Sequence, residues 1–270
     1  MRAACIQLNS GVNIHENIAA ADVFVREAVS GGAELIVTPE MTHLMQCNPK
    51  KLYETIYTEH EDPGVAHFAR LADELDIYLI IGSLAIKTAE KRAVNRSYLF
   101  GSDGIKRAGY DKIHLFDVTI SESEVYRESH VYEAGSRAVT ADIGAAKVGL
   151  SICYDMRFPL LYRGYAQTGA HIITVPAAFT RPTGKAHWEI LLRARAIETG
   201  CYVLAPAQGG EHADGRRTWG HSMIIDPWGH VVAHLEHDRP GFIFAELDLE
   251  KVGEARRRIP AWQHDPHYGI

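Results

Sequence analysis

The chain has 270 residues and a formal net charge of −6, with 46% apolar and 23% charged residues. That composition belongs to globular domains and argues against extended disorder. The acidic balance argues against nucleic acid as a partner, because phosphate binding needs a basic face. No run approaches the ~18 apolar residues of a membrane span. The opening RAACIQL reads as a strand, not as a signal peptide, so a cytoplasmic protein with no membrane contact is expected.

Strand and helix patterns alternate along the chain. A strand over residues 3–8 is followed by a helix from Asn13, where Glu16 completes a capping-box spacing. Ile18, Ala21, Val25, Ala28 and Val29 give that helix one apolar face, and Gly31–Gly32 ends it. ELIVT at 34–38 is a continuous apolar strand of the kind buried on both faces. A helix over 63–75 and strands at 77–82, 94–100 and 105–109 follow, with Asp103–Gly104 as the last turn.

The second half repeats this logic. Strands at 138–142 and 147–152 flank Gly144, a helix spans about 159–168, and a strand at 171–175 precedes a long helix at 185–199. Strands at 202–207, 221–225, 231–235 and 242–247 lead to a short basic helix at 249–258. Neither linker nor short repeat interrupts the pattern, so one domain over 1–270 is expected, with helices packed outside β layers and a hint of an internal pseudo-twofold.

Cys5, Cys47, Cys153 and Cys201 are scattered without a CxxC, which suggests neither a zinc ribbon nor a disulfide framework and leaves single-thiol chemistry. Cys153 lies in LSICYDMRFP, where a buried strand gives way to a helix. A thiol at such a turn is rigidly held, the helix dipole favours its thiolate, and the Tyr154 N–H is free to bind an oxyanion. Glu40 stands in LIVTPE where a buried strand stops, a place where catalytic groups of α/β folds gather. Lys112, in GYDKIHLFDV, sits among apolar residues and needs a carboxylate partner, for which Glu122, Glu124, Glu128 and Glu133 are candidates. Arg157 could pair with a substrate carboxylate, and Arg181 and Thr183 lie just after the strand at 171–175, on a loop able to reach the same pocket.

TPE, GYDKIHLFDV, RES and CYDMRFP, in this order, resemble the nitrilase (carbon–nitrogen hydrolase) superfamily with its Glu–Lys–Cys triad. The likeness extends to TGKAHWEILLRARAIETGCYV and GHSMIIDPWG and spans almost the whole chain. Within the superfamily the deaminated-glutathione amidase branch is the nearer and the omega-amidase branch the second. The resemblance implies a four-layer α-β-β-α sandwich, a homodimer or higher homo-oligomer, and a small amide as substrate. Glu40 then serves as general base, Lys112 as the electrostatic group, Cys153 as nucleophile and Glu128 as a second active-site glutamate. The implied reaction converts a carboxylate-bearing amide to acid and ammonia through a thioester. The chain departs from its relatives at VTISESEVYRES, residues 118–129, where an IPG-like stretch is usual, and slightly at TRPTGKAHW.

No organic cofactor or phosphate loop is indicated. A papain-type pairing of Cys153 with His114 or His187 would leave the Glu–Lys pair without a role. His230, His234 and His237 could suit a metal only on a helix, whereas their context reads as strand and turn, so no metal is expected. Nitrile hydrolysis usually goes with Trp–Glu after the nucleophile, and Tyr154–Asp155 stands there instead. A catalytically silent binding protein of the same fold is the non-enzyme alternative.

Overall fold

The computed structural model describes residues 1–122 and 124–264; Ser123 and the last six residues of the expected 1–270 domain lie outside the described residues. Strand β1 (Arg2–Gln7) is followed by helix α1 (Ile14–Ser30), whose Asn13 cap accepts from the N–H groups of His15 and Glu16. Then come β2 (Leu35–Val37), α2 (Pro49–Thr55), α3 (Pro63–Leu75), β3 (Tyr78–Ala89), β4 (Arg92–Phe100) and β5 (Lys106–Asp111). A small hairpin, β6 (Asp117–Ser121) and β7 (Glu124–Arg127), bridges the two halves. The second half runs β8 (Val139–Ile143), β9 (Ala146–Leu150), α4 (Pro159–Gln167), β10 (Ile172–Thr174), α5 (Arg181–Thr199) and β11 (Tyr202–Ala205). It ends with the hairpin β12 (Gly209–Glu211) and β13 (Arg217–Trp219), then β14 (Met223–Ile225), β15 (Val231–His234), β16 (Gly241–Glu246) and α6 (Glu250–Arg258).

These strands form two six-stranded sheets, ordered β16-β1-β2-β3-β4-β5 and β15-β14-β11-β10-β9-β8. In each, three parallel strands (β1, β2, β3 and β9, β10, β11) are continued by antiparallel partners on both sides. The two halves therefore share one topology, with β1 equivalent to β9 and β2 to β10. This is the pseudo-twofold hinted at by the repeated order of elements.

Side-chain alternation converts these sheets into layers. Ala4, Ile6, Ile36, Leu79 and Ile81 face outward onto Ile18, Ala21 and Val25 of α1 and Phe68 and Leu71 of α3. Ala3, Cys5, Leu35, Val37 and Ile80 face the other way, in a core continuous with Val148, Leu150 and Ile172 of the second sheet and with Trp188 and Leu192 of α5. Each fully buried aliphatic side chain contributes on the order of 1.5–3 kcal/mol of apolar transfer free energy. The result is the α-β-β-α sandwich. Among the described residues no helix is long and apolar enough to cross a membrane.

One glycine sets how closely the sheets meet near the site. Gly82 lies at an irregularity in β3, where a Cβ would stand 2.1 Å from the Thr38 carbonyl oxygen and 2.5 Å from Pro176 Cβ. Only glycine lets the chain after β2 and the chain after β10 approach this point together.

Candidate active site

Glu40 follows β2 on a turn tied down by buried polar contacts. Thr38 Oγ1 accepts from the Gly82 N–H (3.0 Å), and Thr42 Oγ1 donates to the Pro39 carbonyl (2.7 Å). Gln208 Nε2 donates to the carbonyls of Glu40 (3.0 Å) and Met41 (3.2 Å). Met41, just after the carboxylate, is left-handed at φ +55°. The Glu40 side chain, only 4% exposed, is fully committed. Its Oε1 accepts from Lys112 Nζ and Asn95 Nδ2, both at 2.9 Å, and its Oε2 from the Ala178 N–H, also at 2.9 Å.

Lys112 follows β5, and its backbone N–H is held by the Asn95 carbonyl at 2.9 Å. Its buried ammonium also donates to both Glu128 oxygens, at 3.0 and 2.9 Å. Of the glutamates open to it from the sequence, Glu128 is the second partner beside Glu40. Glu133 instead accepts from Thr88, and Glu124 from Tyr126. Glu128 is fixed in turn by the Phe116 N–H at 2.6 Å.

Cys153 terminates the chain after β9 in a left-handed conformation, φ +50°, with its N–H on the Pro176 carbonyl at 2.9 Å. A residue with a Cβ adopts this conformation at a cost of about 1–2 kcal/mol. The surrounding contacts must therefore enforce it. The principal one is Asp155, fully buried, whose Oδ2 accepts from Tyr110 Oη (2.6 Å) and the Ile152 N–H (2.9 Å). Its Oδ1 takes the His114 N–H (3.0 Å) and faces the His114 ring at 2.7 Å. Tyr110 and His114 flank Lys112, so Asp155 locks the nucleophile turn to the strand end carrying the ammonium. Asp155→Ala is expected to destabilise the fold by about 3–5 kcal/mol, as buried polar partners lose their acceptor. Urea denaturation monitored by far-ultraviolet circular dichroism checks this.

The helix expected over about 159–168 is α4, which starts at Pro159, and a short 3-10 turn, Cys153–Arg157, lies between β9 and it. The stabilised thiolate expected at this turn is not what burial produces. Burial pushes the Cys153 thiol well above its usual range, and the neighbouring Glu40 charge adds to this against the opposing Lys112 charge. Burial alone would raise the Glu40 carboxyl, but Lys112 and the hydrogen bond from Cys153 hold it below the ordinary carboxylate value. Burial disfavours the Lys112 ammonium, yet Glu128 and Glu40 together raise it well above the ordinary lysine value. The resting triad is thus carboxylate, ammonium and neutral thiol. The ordinary proton order is preserved, and the base stands next to the acid it must deprotonate.

These groups meet at a cavity of about 450 Å³ whose lining includes Glu40, Lys112, Glu128, Cys153, Tyr154 and Thr183. The 118–129 departure is the β6–β7 hairpin, which supplies Val125 and Tyr126 to the wall. Arg181 and Thr183 stand in the first turn of α5, not on a loop, and the structure does not bring Arg157 and Arg181 to this lining. Arg157 lies over the rings of Tyr154 and Phe179, against His187 Nδ1 at 3.3 Å, and Arg181 is taken by Asp238 at 2.8 Å. Aromatic stacking and a competing carboxylate hold them away.

Sequence reasoning passed over Asn95, Ala178 and Arg216. Asn95 had a signal, an amide inside the otherwise strand-like RAVNRSYLF. The Ala178 contact is a backbone N–H and leaves none. The three histidines do not converge: His230 faces Asp226 at 3.1 Å, and among the described residues no group of His, Cys, Asp and Glu is placed to hold a metal.

Comparison with known proteins bears on the family and the fold. The family model for carbon–nitrogen hydrolases matches residues 2–257. A deaminated glutathione amidase of Synechocystis sp. is 39% identical over 97% of both chains. The Mus musculus protein of that name is 40% identical over 97% of this chain and 82% of its own. Among solved structures, the Caenorhabditis elegans NitFhit protein superposes with a TM-score of 0.91 at 36% identity, covering 98% of this chain. This chain spans 64% of that longer one. Saccharomyces cerevisiae Nit3, described as a member of branch 10 of the nitrilase superfamily, gives 0.86 at 28% identity, over 96% of this chain and 94% of its own.

Proposed function

The chain belongs to the carbon–nitrogen hydrolase family, and on that premise we propose that it is a cysteine amidase acting on a small carboxylate-bearing amide, of the deaminated-glutathione amidase type. The carrying observation is that a buried carboxylate, a buried ammonium and a thiol from three separate strand ends line one cavity.

Chemistry follows from the proton inventory. The amide carbon is attacked by Cys153 sulfur as Glu40 takes the thiol proton; the C–S bond forms and the carbonyl π pair moves to oxygen. The Lys112 charge and the Tyr154 N–H stabilise that oxyanion. The C–N bond then breaks, and Glu40 gives its proton to the departing amine, ammonia in the simplest case. Water, deprotonated by Glu40, adds to the thioester. The second tetrahedral adduct expels the sulfur, which recovers a proton from Glu40 as the acid leaves. Glu128 holds Lys112 in its charged form throughout, so the ammonium stabilises charge without donating its proton. Asn95, bonded to both carboxylates, keeps them apart.

The domain is read as one unit over 1–270. A cytoplasmic homodimer is part of the same proposal, supported by large apolar side chains left exposed on α4 and α5, Leu160 and Ile190.

The test is direct detection of the intermediate. Incubation with α-ketoglutaramate or deaminated glutathione, acid quenching and intact-mass measurement should give one acyl adduct, mapped to Cys153. Neither turnover nor adduct with both amides would sink the assignment.

A further inference from the structure

The cavity contains a cation that the reaction steps leave unused. Three basic side chains line it, Lys112, Arg127 and Arg216. Lys112 is neutralised by Glu40 and Glu128. Arg127 is turned along its own hairpin, donating to the Val118 and Tyr126 carbonyls at 3.0 and 2.7 Å. Arg216 differs from both. Among the described residues its guanidinium meets no carboxylate; Nη1 rests on Met45 Sδ at 3.6 Å, and the group lies over the Tyr126 ring at 5.8 Å.

The segment presenting Arg216 is built to hold still. It closes the β12–β13 hairpin, with Gly215 at φ +89° and the Arg216 N–H on Asp214 Oδ1 at 2.9 Å. The Arg216 carbonyl accepts from the His212 N–H at 2.8 Å. Buried His212 bridges the Ser10 carbonyl (2.9 Å) and Thr218 Oγ1 (2.7 Å), fastening the hairpin to the segment after β1. Fixing a guanidinium before the ligand arrives reduces the ordering cost of binding. A half-buried, aromatic-backed arginine without an internal anion is suited to a carboxylate from outside.

The geometry points to Arg216 as the specificity-determining residue that binds the carboxylate of the acyl half of the substrate within this cavity. This rests on the amidase reading above and deepens it. It also gives the role anticipated for Arg157 to a residue contributed by a different hairpin. Arg216 acts at a distance too: its charge is among those that hold the Glu40 carboxyl below its ordinary value. Anchoring the substrate therefore partly cancels a field felt by the base, so binding and proton transfer are linked through this side chain.

Glutaramate and pentanamide test the assignment, because they have the same chain length and differ in the terminal carboxylate. Ammonia release gives kcat and KM for each with the wild type, Arg216→Gln, Arg216→Lys and Arg157→Gln. The wild type should favour glutaramate in kcat/KM. Arg216→Gln should shrink that preference by about 10–100-fold, the range of a charge-assisted hydrogen bond, mainly through KM. Arg216→Lys should restore part of it, which a merely unfolded or loosened hairpin would not. A preference unchanged in Arg216→Gln, or one lost in Arg157→Gln instead, overturns the assignment. Equal use of both amides by the wild type also overturns it while leaving the amidase intact. Absence of both ammonia release and any acyl adduct on Cys153 with either probe removes the amidase reading, and the Arg216 role with it.

Discussion

Glu40→Gln is expected to lower amide turnover by about 10²–10⁴-fold, the usual contribution of a positioned general base, while alkylation of Cys153 by iodoacetamide at neutral pH does not fall with it. The divergence follows from the two roles of the carboxylate. In turnover, Glu40 must accept the thiol proton and then deliver it to the amine, and an amide side chain can do neither. In the resting enzyme, the Glu40 charge is also one of the causes that keep the Cys153 thiol protonated. Removing that charge leaves Lys112 to favour the thiolate, so a simple alkylating reagent loses nothing. Cys153→Ala should abolish both reactions. Rates of ammonia release and of carbamidomethylation, measured on the same preparations, decide the matter. A parallel fall of both in Glu40→Gln would mean that the carboxylate activates the sulfur even without a substrate.

How far the sequence reaches depends on how local each determinant is. Helix α3 was legible to the residue, because Pro63 opens it and Leu75 closes its apolar face just before left-handed Asp76. The Asn13 cap was equally plain. By contrast, α2 has only one buried residue, Leu52, so no apolar periodicity announced it. The β6–β7 and β12–β13 hairpins are short and lack an apolar run, and they stand apart from the two large sheets. Nothing local says that β16 crosses back to lie beside β1. The same division holds in the site. Glu40 and Cys153 each follow a buried strand, a position readable along the chain, and Lys112 stands out as a cation among apolar neighbours after the more exposed β5. Arg216 is one of two adjacent arginines in a turn, and only the fold shows that it reaches the cavity while Arg157 is drawn onto aromatic rings.

Lys112→Met should lose about 10²–10³ in kcat, the magnitude seen when one stabilising donor for an oxyanion is removed. It should also destabilise the fold by about 3–5 kcal/mol at pH 7, the cost of stranding buried charges. The ammonium stands between Glu40 and Glu128, and without it the two carboxylates face each other across Asn95. Their shared site then favours uptake of a proton, reversing the sign of the pH dependence. In the wild type the Glu40 carboxyl lies below its ordinary value, so its stabilising contribution is present above that ordinary value and lost as pH falls through the lower folded one. In Lys112→Met the carboxylates are pushed upward, so stability should recover as pH falls from 7 toward about 5 and a proton is bound. Urea midpoints at the two pH values measure this. The double variant Lys112→Met/Glu128→Gln should regain much of the lost stability at pH 7 but not the turnover, because a neutral pair relieves the repulsion and still offers no positive charge to the oxyanion. If the double variant recovered turnover as well, Lys112 would be a purely structural counter-ion, and the Tyr154 N–H would have to account for the oxyanion without it.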